Sequence, residues 1–263
     1  MISALVVKLA ASPALIAAAS IAGKRWGHKT AGLIGGLPLV GGPIVAALWL
    51  EHGRELARTV ALAAPVGIWA TITYLLTVGF ASAIAPWYLA IPAGWACYLA
   101  MEWLLHSAGV ANSMAFGLAV IPGLWIAANY VLPKPSAAPP PSHLPKTELL
   151  ARMIAATIIV LALTESTHAI GAEYTGMLAA APVAASVIPA FTLAISGRDA
   201  TLLALRGFLI GLIGFAVFFF VLAPTMQLGS VALIVASFAG VAAGLAATRL
   251  ARRLSPDADV RIA

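Results

Sequence analysis

The chain has 263 residues, of which 62% are hydrophobic and 9% are charged, and its formal net charge is +6 at pH 7. A soluble globular protein is excluded, because such proteins carry about 25% charged residues. A basic chain can bind nucleic acid, but in a chain this apolar the positive charge is more typical of the cytoplasmic loops of a membrane protein. We therefore expect a lipid bilayer, and no nucleic acid, around it. Cys97 is the only cysteine, which excludes a disulfide within the chain.

Long runs without Asp, Glu, Lys or Arg predict an all-α, polytopic membrane protein. The runs are 30–50, 59–101, 107–133 and 207–248. A helix needs about 20 apolar residues to cross the hydrocarbon core, so the two longest runs each predict two crossings. The nine transmembrane helices predicted in chain order are 3–23, 29–50, 56–79, 83–105, 108–132, 148–168, 172–195, 201–223 and 229–250. The first segment also has features of a signal peptide, but its recurrence at 148–168 favours a retained span.

The chain contains an internal duplication at a constant offset of 144 residues. Residues 27–55 align with residues 171–199 without a gap. The matched pairs are Gly27 with Gly171, Gly32 with Gly176, Pro38 with Pro182, Gly53 with Gly197, Arg54 with Arg198 and, further upstream, Lys8 with Arg152. Chance alignment of apolar residues does not bring glycines, prolines and basic residues into one register. The pattern therefore indicates two related halves.

The basic residues predict an orientation, and the orientation predicts an inverted repeat. With nine spans and a cytoplasmic C-terminus, twelve of the fifteen Lys and Arg residues lie on the cytoplasmic side and the N-terminus lies outside. Equivalent residues are separated by five spans, so the two repeats cross the membrane in opposite senses. The predicted regions are repeat 1 at 1–106, a linking helix at 107–133, a Pro-rich cytoplasmic linker at 134–147, repeat 2 at 148–250 and a cytoplasmic tail at 251–263.

Glycines and prolines interrupt the second and seventh spans at matching places. The residues concerned, with the one polar side chain among them, are Gly32, Gly35, Gly36, Pro38, Gly176, Pro182 and Ser186. An interrupted helix in lipid must face protein or a watery cavity, and the backbone groups it frees can hold a substrate. The alternative is that the small residues allow close helix packing and the prolines only kink the helices.

Two symmetric pairs of basic residues complete the predicted substrate site. Lys8 and Arg152 lie inside spans one and six, where a cation is costly. They either attract an anionic substrate at the two mouths of a transport path or extend to the lipid headgroups. Arg54 and Arg198 follow matched glycines, and Arg54 either belongs to the site or interacts with the neighbouring glutamates.

Carboxylates and histidines are the candidates for ion coupling. Glu102 and His106 are spaced i,i+4, and Glu165 and His168 are spaced i,i+3, so each pair shares a helical face. We expect Glu165, Glu102 or His106 to couple protons, whereas the alternatives are a metal site or the polar rim of external loops. No catalytic residue, resident metal or organic cofactor is predicted. Nucleotide-binding motifs are also absent from the sequence, so transport would use an ion gradient or run downhill.

Residues 30–38, TAGLIGGLP, and residues 51–59, EHGRELART, resemble the GlpM family of small bacterial inner-membrane proteins. The resemblance covers residues 4–105 and, more faintly, 148–250. It implies a fused, inverted pair of four-span units in the bacterial inner membrane. The family's link to alginate production implies a role in the cell envelope.

These features predict a secondary transporter of a small or amphiphilic, anionic solute, with its site between spans two and seven. One alternative is a non-transporting membrane factor for exopolysaccharide or lipid-linked envelope assembly. Its partner would be a second copy of the chain or an enzyme of envelope biosynthesis. The other alternative is a membrane-embedded, metal-dependent enzyme, which requires His106 and His168 to converge.

Overall fold

The computed structural model describes residues 2–38, 49, 53–110, 113–139, 144–170 and 181–254, with the backbone alone for residues 2–12, 56 and 163–170. Every regular element within these residues is helical. The helices are α1 (Ile2–Trp26), α2 (His28–Gly36), α3 (Arg54–Ala81), α4 (Trp87–Ser107), α5 (Met114–Ile126) continuing as a π-helical turn (Ala127–Val131), α6 (Lys146–Ile170), α7 (Val183–Thr225) followed by a 3₁₀ turn (Met226–Leu228), and α8 (Ser230–Leu254).

Within the part of the chain that the structure describes, four helical segments are long and apolar enough to cross a membrane. They are Ala57–Ala81, Met114–Val131, Val183–Leu228 and Ser230–Leu254. The segment in α5 begins later than the predicted span 108–132, because Ser113 caps the helix by accepting a hydrogen bond from the Phe116 amide.

Gly27 and Gly197 turn the chain between helical segments, and Gly53, directly before α3, has the same backbone conformation. Gly27, Gly53 and Gly197 have φ of 86°, 87° and 81°, with ψ of 166°, 175° and −172°. This backbone region is almost confined to glycine, because a side chain would clash with the main chain there. Gly23 and Ala31, four residues on either side of Gly27, are so close that a Cβ on Gly23 would lie 2.7 Å from that of Ala31. The chain therefore reverses at Gly27 with almost no loop.

Gly197 divides α7 into two parts, which we call α7N (183–196) and α7C (198–225). A Cβ on Gly35 of α2 would lie 2.5 Å from the Phe208 ring and 3.4 Å from Ile188. Ile188 precedes Gly197 and Phe208 follows it, so both parts of α7 return to the same place on α2. The predicted boundary between segments 172–195 and 201–223 falls at this corner.

Two pairs of helical segments related by the 144-residue offset lie antiparallel. Arg152, near the beginning of α6, approaches Ser20, near the end of α1, with Nη1 3.5 Å from Oγ. Gly79, near the end of α3, lies beside Leu205, near the beginning of α7C. A Cβ on Gly79 would be 3.5 Å from the Leu205 side chain. At their other ends, α3 and α7C meet at Gly117 of α5. Gly117 lies beside Pro65, in the first half of α3, and beside Phe220, near the end of α7C.

Each half of the chain packs one helical segment into the other half. α2 lies mainly against α7C, and Leu37 and Pro38 directly after it contact α8, whereas α7N reaches α3 and α4. α7C is the centre of the core, and Phe208, Phe218 and Phe219 on it are at most 1% exposed. α2 and α7N, which lie next to the predicted breaks, thus each pack against helices from the other half.

The linker between α5 and α6 is attached to the start of α7C. The carboxylate of Asp199 accepts hydrogen bonds from the backbone N–H groups of Ser136 (2.9 Å) and Ala137 (3.1 Å). This part of the predicted linker 134–147 therefore lies at the same end of the molecule as the Gly197 corner.

Candidate substrate site

One described helix ends and another begins next to the two prolines related by the duplication. α2 ends at Gly36, after which Leu37 is extended (φ −72°, ψ 161°). A proline disfavours helical geometry in the residue before it, which explains the extended conformation of Leu37 before Pro38. In the other half, α7 begins at Val183, directly after Pro182, whose φ and ψ are −79° and 53°. We call Leu37–Pro38 the first break and Ala181–Pro182 the second break.

Glycine packing surrounds the first break. A Cβ on Gly32 would overlap the Ala204 carbonyl of α7C, and a Cβ on Gly36 would lie 2.6 Å from the Phe208 carbonyl oxygen. A Cβ on α8 residue Gly240 would lie 3.2 Å from Cγ of Pro38. The face of α2 that carries Gly32, Gly35 and Gly36 is therefore covered by α7C. This is the close packing of small residues that membrane helices use to bring their backbones together.

Polar side chains surround the second break. The Ser186 hydroxyl and amide both donate to the Pro182 carbonyl oxygen at 2.7 Å. Trp95 of α4 donates its indole N–H to the Ser186 hydroxyl oxygen at 2.9 Å, and Tyr74 of α3 donates to the Ala185 carbonyl oxygen at 3.3 Å. Ser186 is 2% exposed and Tyr74 is completely buried. Side chains from three helices thus meet at this place. The Ala185 carbonyl lacks a helical donor because residue 189, four positions further on, is a proline without an N–H, and Tyr74 supplies a donor instead.

A ladder of aromatic rings connects the second break to a buried carboxylate. Tyr74 and Trp95 meet edge to face with centroids 6.0 Å apart, and Trp95 and Tyr98 do so at 5.4 Å. Tyr98 interacts with Glu102, one turn further along α4, and Glu102 is 7% exposed. Neither Glu102 oxygen has a hydrogen bond of good geometry within the described residues. The ladder ends in a carboxylate that can gain or lose a proton.

Arg152 is buried and paired. Its Nη2 and Nε lie 2.6 and 3.0 Å from Oε1 of Glu148, and its guanidinium lies 5.4 Å from the ring centre of Phe191 in α7N. Arg152 is 7% exposed, so its side chain does not extend to the protein surface as the headgroup alternative required. The side chain of its predicted partner Lys8 lies outside the described residues.

Arg54 and Arg198 begin their helical segments directly after Gly53 and Gly197. Arg54 is exposed and makes no ion pair with Glu55 within the described residues, which do not include Glu51. Arg198 is half-buried, and its Nε donates no hydrogen bond to any residue that the structure describes. Neither arginine contacts the polar groups of the second break among the described contacts.

Of the remaining residues predicted for substrate binding or ion coupling, the structure describes His106 but not Gly176 or the side chain of Glu165. His106 is half-buried, one turn beyond Glu102. Gly176 lies outside the described residues, as do the side chains of Glu165 and His168, so the convergence of His106 with His168 stays a prediction. No group of three His, Cys, Asp or Glu side chains suited to a metal occurs within the described residues.

Sequence reasoning missed the aromatic ladder and a second buried arginine. Trp95, Tyr98 and Glu102 follow one another at spacings of three and four, which puts them on one helical face, and that period could have revealed them. Arg206 lies within α7C and is 9% exposed. Its Nε donates to the Ala128 carbonyl oxygen at 2.9 Å in the π-helical turn. Such a turn alters the regular hydrogen bonding, which no sequence signal announced.

Comparison of the chain with protein-family models, with curated proteins and with solved structures found no match.

Proposed function

We propose that the chain is a secondary transporter of a small or amphiphilic, anionic solute, with its substrate site at the second break. The observation that carries this proposal is the hydrogen bond from Trp95 to the buried Ser186 hydroxyl, because a proline kink frees backbone carbonyls and does not need a donor to a side-chain hydroxyl. The Trp95 indole, the Tyr74 hydroxyl and the Ser186 hydroxyl supply neutral donors beside aromatic rings. Such a combination suits a ligand with an apolar body and a small polar or anionic group.

The proposed architecture is two inverted four-span repeats within nine spans. Support comes from the antiparallel pairs, α1 with α6 and α3 with α7C, since equivalent segments of an inverted repeat run in opposite directions. Equivalent interruptions before Val183 and after Gly36 also support it. The glycine corner at Gly197 supports two crossings in α7.

The two breaks have different roles in this proposal. The first break is a packing device, because glycines of α7C and α8 enclose Leu37 and Pro38. The second break binds the solute, which exchanges for the hydrogen bond between Ser186 and Pro182. Glu102 carries the coupled proton, since the aromatic ladder connects it to the site. Arg152 stabilises α7N through Phe191 and balances the charge of Glu148.

Access to Ser186 from both sides of the membrane tests the proposal. The single native cysteine makes this practical, since Ser186→Cys can be placed in a Cys97→Ala chain. A membrane-impermeant thiol reagent is applied to one side of oriented vesicles at a time. Ala216→Cys is the control, because Ala216 is completely buried in α7C. Alternating access predicts labelling of Ser186→Cys from either side and no labelling of Ala216→Cys.

Labelling of Ser186→Cys from neither side, or from one side only, would contradict alternating access. The first result would favour a membrane factor that binds partner proteins without moving a solute. The resemblance to the GlpM family makes envelope assembly in the bacterial inner membrane the proposed setting in both cases. The solutes to screen first are therefore anionic sugars and lipid-linked precursors.

A further inference from the structure

The chain that follows α5 is attached at two places to the beginning of α7C. At the first place, Arg206 donates its Nε–H to the Ala128 carbonyl oxygen of the π-helical turn at 2.9 Å. At the second place, both oxygens of the Asp199 carboxylate accept backbone N–H groups of the linker. We call residues 132–137, which follow the π-helical turn, the strap. Asp199 and Arg206 are about two helical turns apart, so the strap runs beside the first two turns of α7C.

The Asp199 carboxylate attaches the far end of the strap. Its oxygens lie 2.9 Å from the Ser136 nitrogen and 3.1 Å from the Ala137 nitrogen. The side chains of Ser136 and Ala137 are exposed, so burial of apolar surface contributes little to holding this end. A carboxylate is also stable in the first turn of a helix, because the helix dipole is positive there. Two charge-assisted hydrogen bonds are therefore the attachment.

The near end of the strap is fixed by packing. Leu132 is 2% exposed. A Cβ on Gly79 of α3 would lie 2.5 Å from the Leu132 side chain and 3.7 Å from the side chain of Leu202 in α7C, so both leucines meet the same place on α3. Because movement of this end would expose a buried leucine, release of the strap has to begin at the Asp199 end.

The acid that holds the strap has a counterpart that is exposed. Glu55 and Asp199 are related by the 144-residue offset, and each stands two residues after a glycine of the same backbone conformation. Glu55 is exposed at the beginning of α3, whereas Asp199 is half-buried and carries the linker. The strap therefore gives Asp199 a function that its position in the sequence repeat does not explain.

We propose that the strap restrains the Gly197 corner, and that the two hydrogen bonds of Asp199 must break before this corner opens. Thr201 donates its hydroxyl to the Gly197 carbonyl oxygen at 2.9 Å, so the corner and the first turn of α7C form one unit. The intact strap holds this unit against the end of α5. Its release lets the glycine change conformation and lets α7N move. The inference does not rest on the proposed transport activity, since the strap would restrain α7N in any function.

Two variants break the attachment from opposite sides. Asp199→Ala removes both acceptor oxygens, and Ala137→Pro removes one N–H while it leaves the carboxylate unchanged. The matched controls are Glu55→Ala, at the equivalent acid, and Ala138→Pro, whose N–H is not bonded to Asp199. Ala137→Pro also keeps the test decisive if the Asp199→Ala protein does not fold.

Two measurements on the full chain in phospholipid nanodiscs separate the bonds from their effect on the corner. Hydrogen–deuterium exchange at the Ser136 amide follows the attachment itself. Thiol labelling of Thr192→Cys in a Cys97→Ala chain follows the corner, because Thr192 lies in α7N, is 2% exposed and is similar in size to cysteine. We expect both rates to rise about tenfold in the two strap variants and to stay at the wild-type value in the two controls.

Three results would overturn the proposal. Unchanged exchange at Ser136 in the strap variants would show that Asp199 does not hold the linker. Faster exchange with unchanged labelling of Thr192→Cys would show that the strap is attached but does not restrain the corner. Equal acceleration in the control variants would assign the effect to a general loosening of the protein.

Discussion

Trp95 and Ser186, which are 91 residues apart in the chain, are joined by a hydrogen bond of 2.9 Å from the indole Nε1 to the hydroxyl oxygen. The bond connects α4 to the first turn of α7N, directly after the second break. Because Ser186 also donates to the Pro182 carbonyl, the bond connects one half of the chain to the interrupted backbone of the other. Any movement of α7N relative to α4 must therefore break or rearrange it.

The substitution Trp95→Phe removes the donor and keeps an aromatic ring beside Tyr74 and Tyr98. We expect the half-saturating solute concentration to rise about fivefold, the equivalent of ~1 kcal/mol for one neutral hydrogen bond. Solute-evoked currents of proteoliposomes on a solid-supported membrane measure this change. The matched control is Trp69→Phe, since the Trp69 indole makes a similar bond of 3.0 Å to the Phe116 carbonyl away from the break. An equal change in both variants would contradict a special role for Trp95.

Replacing the buried carboxylate by Glu102→Gln separates proton coupling from solute binding. The amide keeps the size of the side chain and cannot release a proton at neutral pH. We expect solute-driven proton uptake, followed with a pH-sensitive dye inside vesicles, to be abolished while solute exchange continues. Glu55→Gln is the control, because Glu55 is exposed at the beginning of α3. Normal proton uptake in the Glu102→Gln protein would remove Glu102 from the mechanism.

Gly32→Ala tests the packing of α2 on α7C. The added methyl group overlaps the Ala204 carbonyl, which belongs to helix backbone and cannot rotate away. We expect the free energy of unfolding to fall by about 1–3 kcal/mol, seen as a lower Tm in detergent. The control is Gly117→Ala in α5, where a Cβ has its nearest neighbour at 3.4 Å, an ordinary contact. If both variants melt at the wild-type temperature, α2 and α7C are not packed this closely.

The buried pair of Glu148 and Arg152 predicts an asymmetry between single and double substitutions. Glu148→Leu leaves the guanidinium without its carboxylate at a site 7% exposed, which is expected to cost about 3–5 kcal/mol of unfolding free energy. Changing both residues to leucine removes the uncompensated charge and is expected to restore most of that stability. Thermal unfolding of the three proteins measures the difference. A double variant less stable than Glu148→Leu would show that Arg152 has a further anionic partner.

Local signals in the sequence predicted the positions where the helices turn and break. The 144-residue offset singled out Gly53 and Gly197, and both directly precede a helical segment in a backbone conformation that only glycine adopts easily. Pro38 and Pro182 were predicted to interrupt helices; α2 ends two residues before Pro38, and α7 begins directly after Pro182. These properties depend on a residue and its immediate neighbours, so one sequence suffices to read them.

Contacts between distant segments were not readable in the same way. Gly32 was a candidate for substrate binding, and nothing in the sequence showed that Ala204 would cover it. Tyr74 and Trp95 looked like ordinary apolar residues, because their polar atoms matter only when a partner such as Ser186 comes within reach. The pairing of Arg152 with Glu148 is local, at i,i+4, and could have been predicted; the approach of Phe191 could not.

The glycine face of α2 imposes an order on biosynthesis. Its contacts are with Ala204, Phe208 and Gly211, which leave the ribosome roughly 170 residues after α2 does. During that interval the exposed backbone of Gly32 and Gly36 faces lipid or the insertion machinery. The late arrival of α7C then closes this surface, so the final helices of the chain complete the folding of its second one.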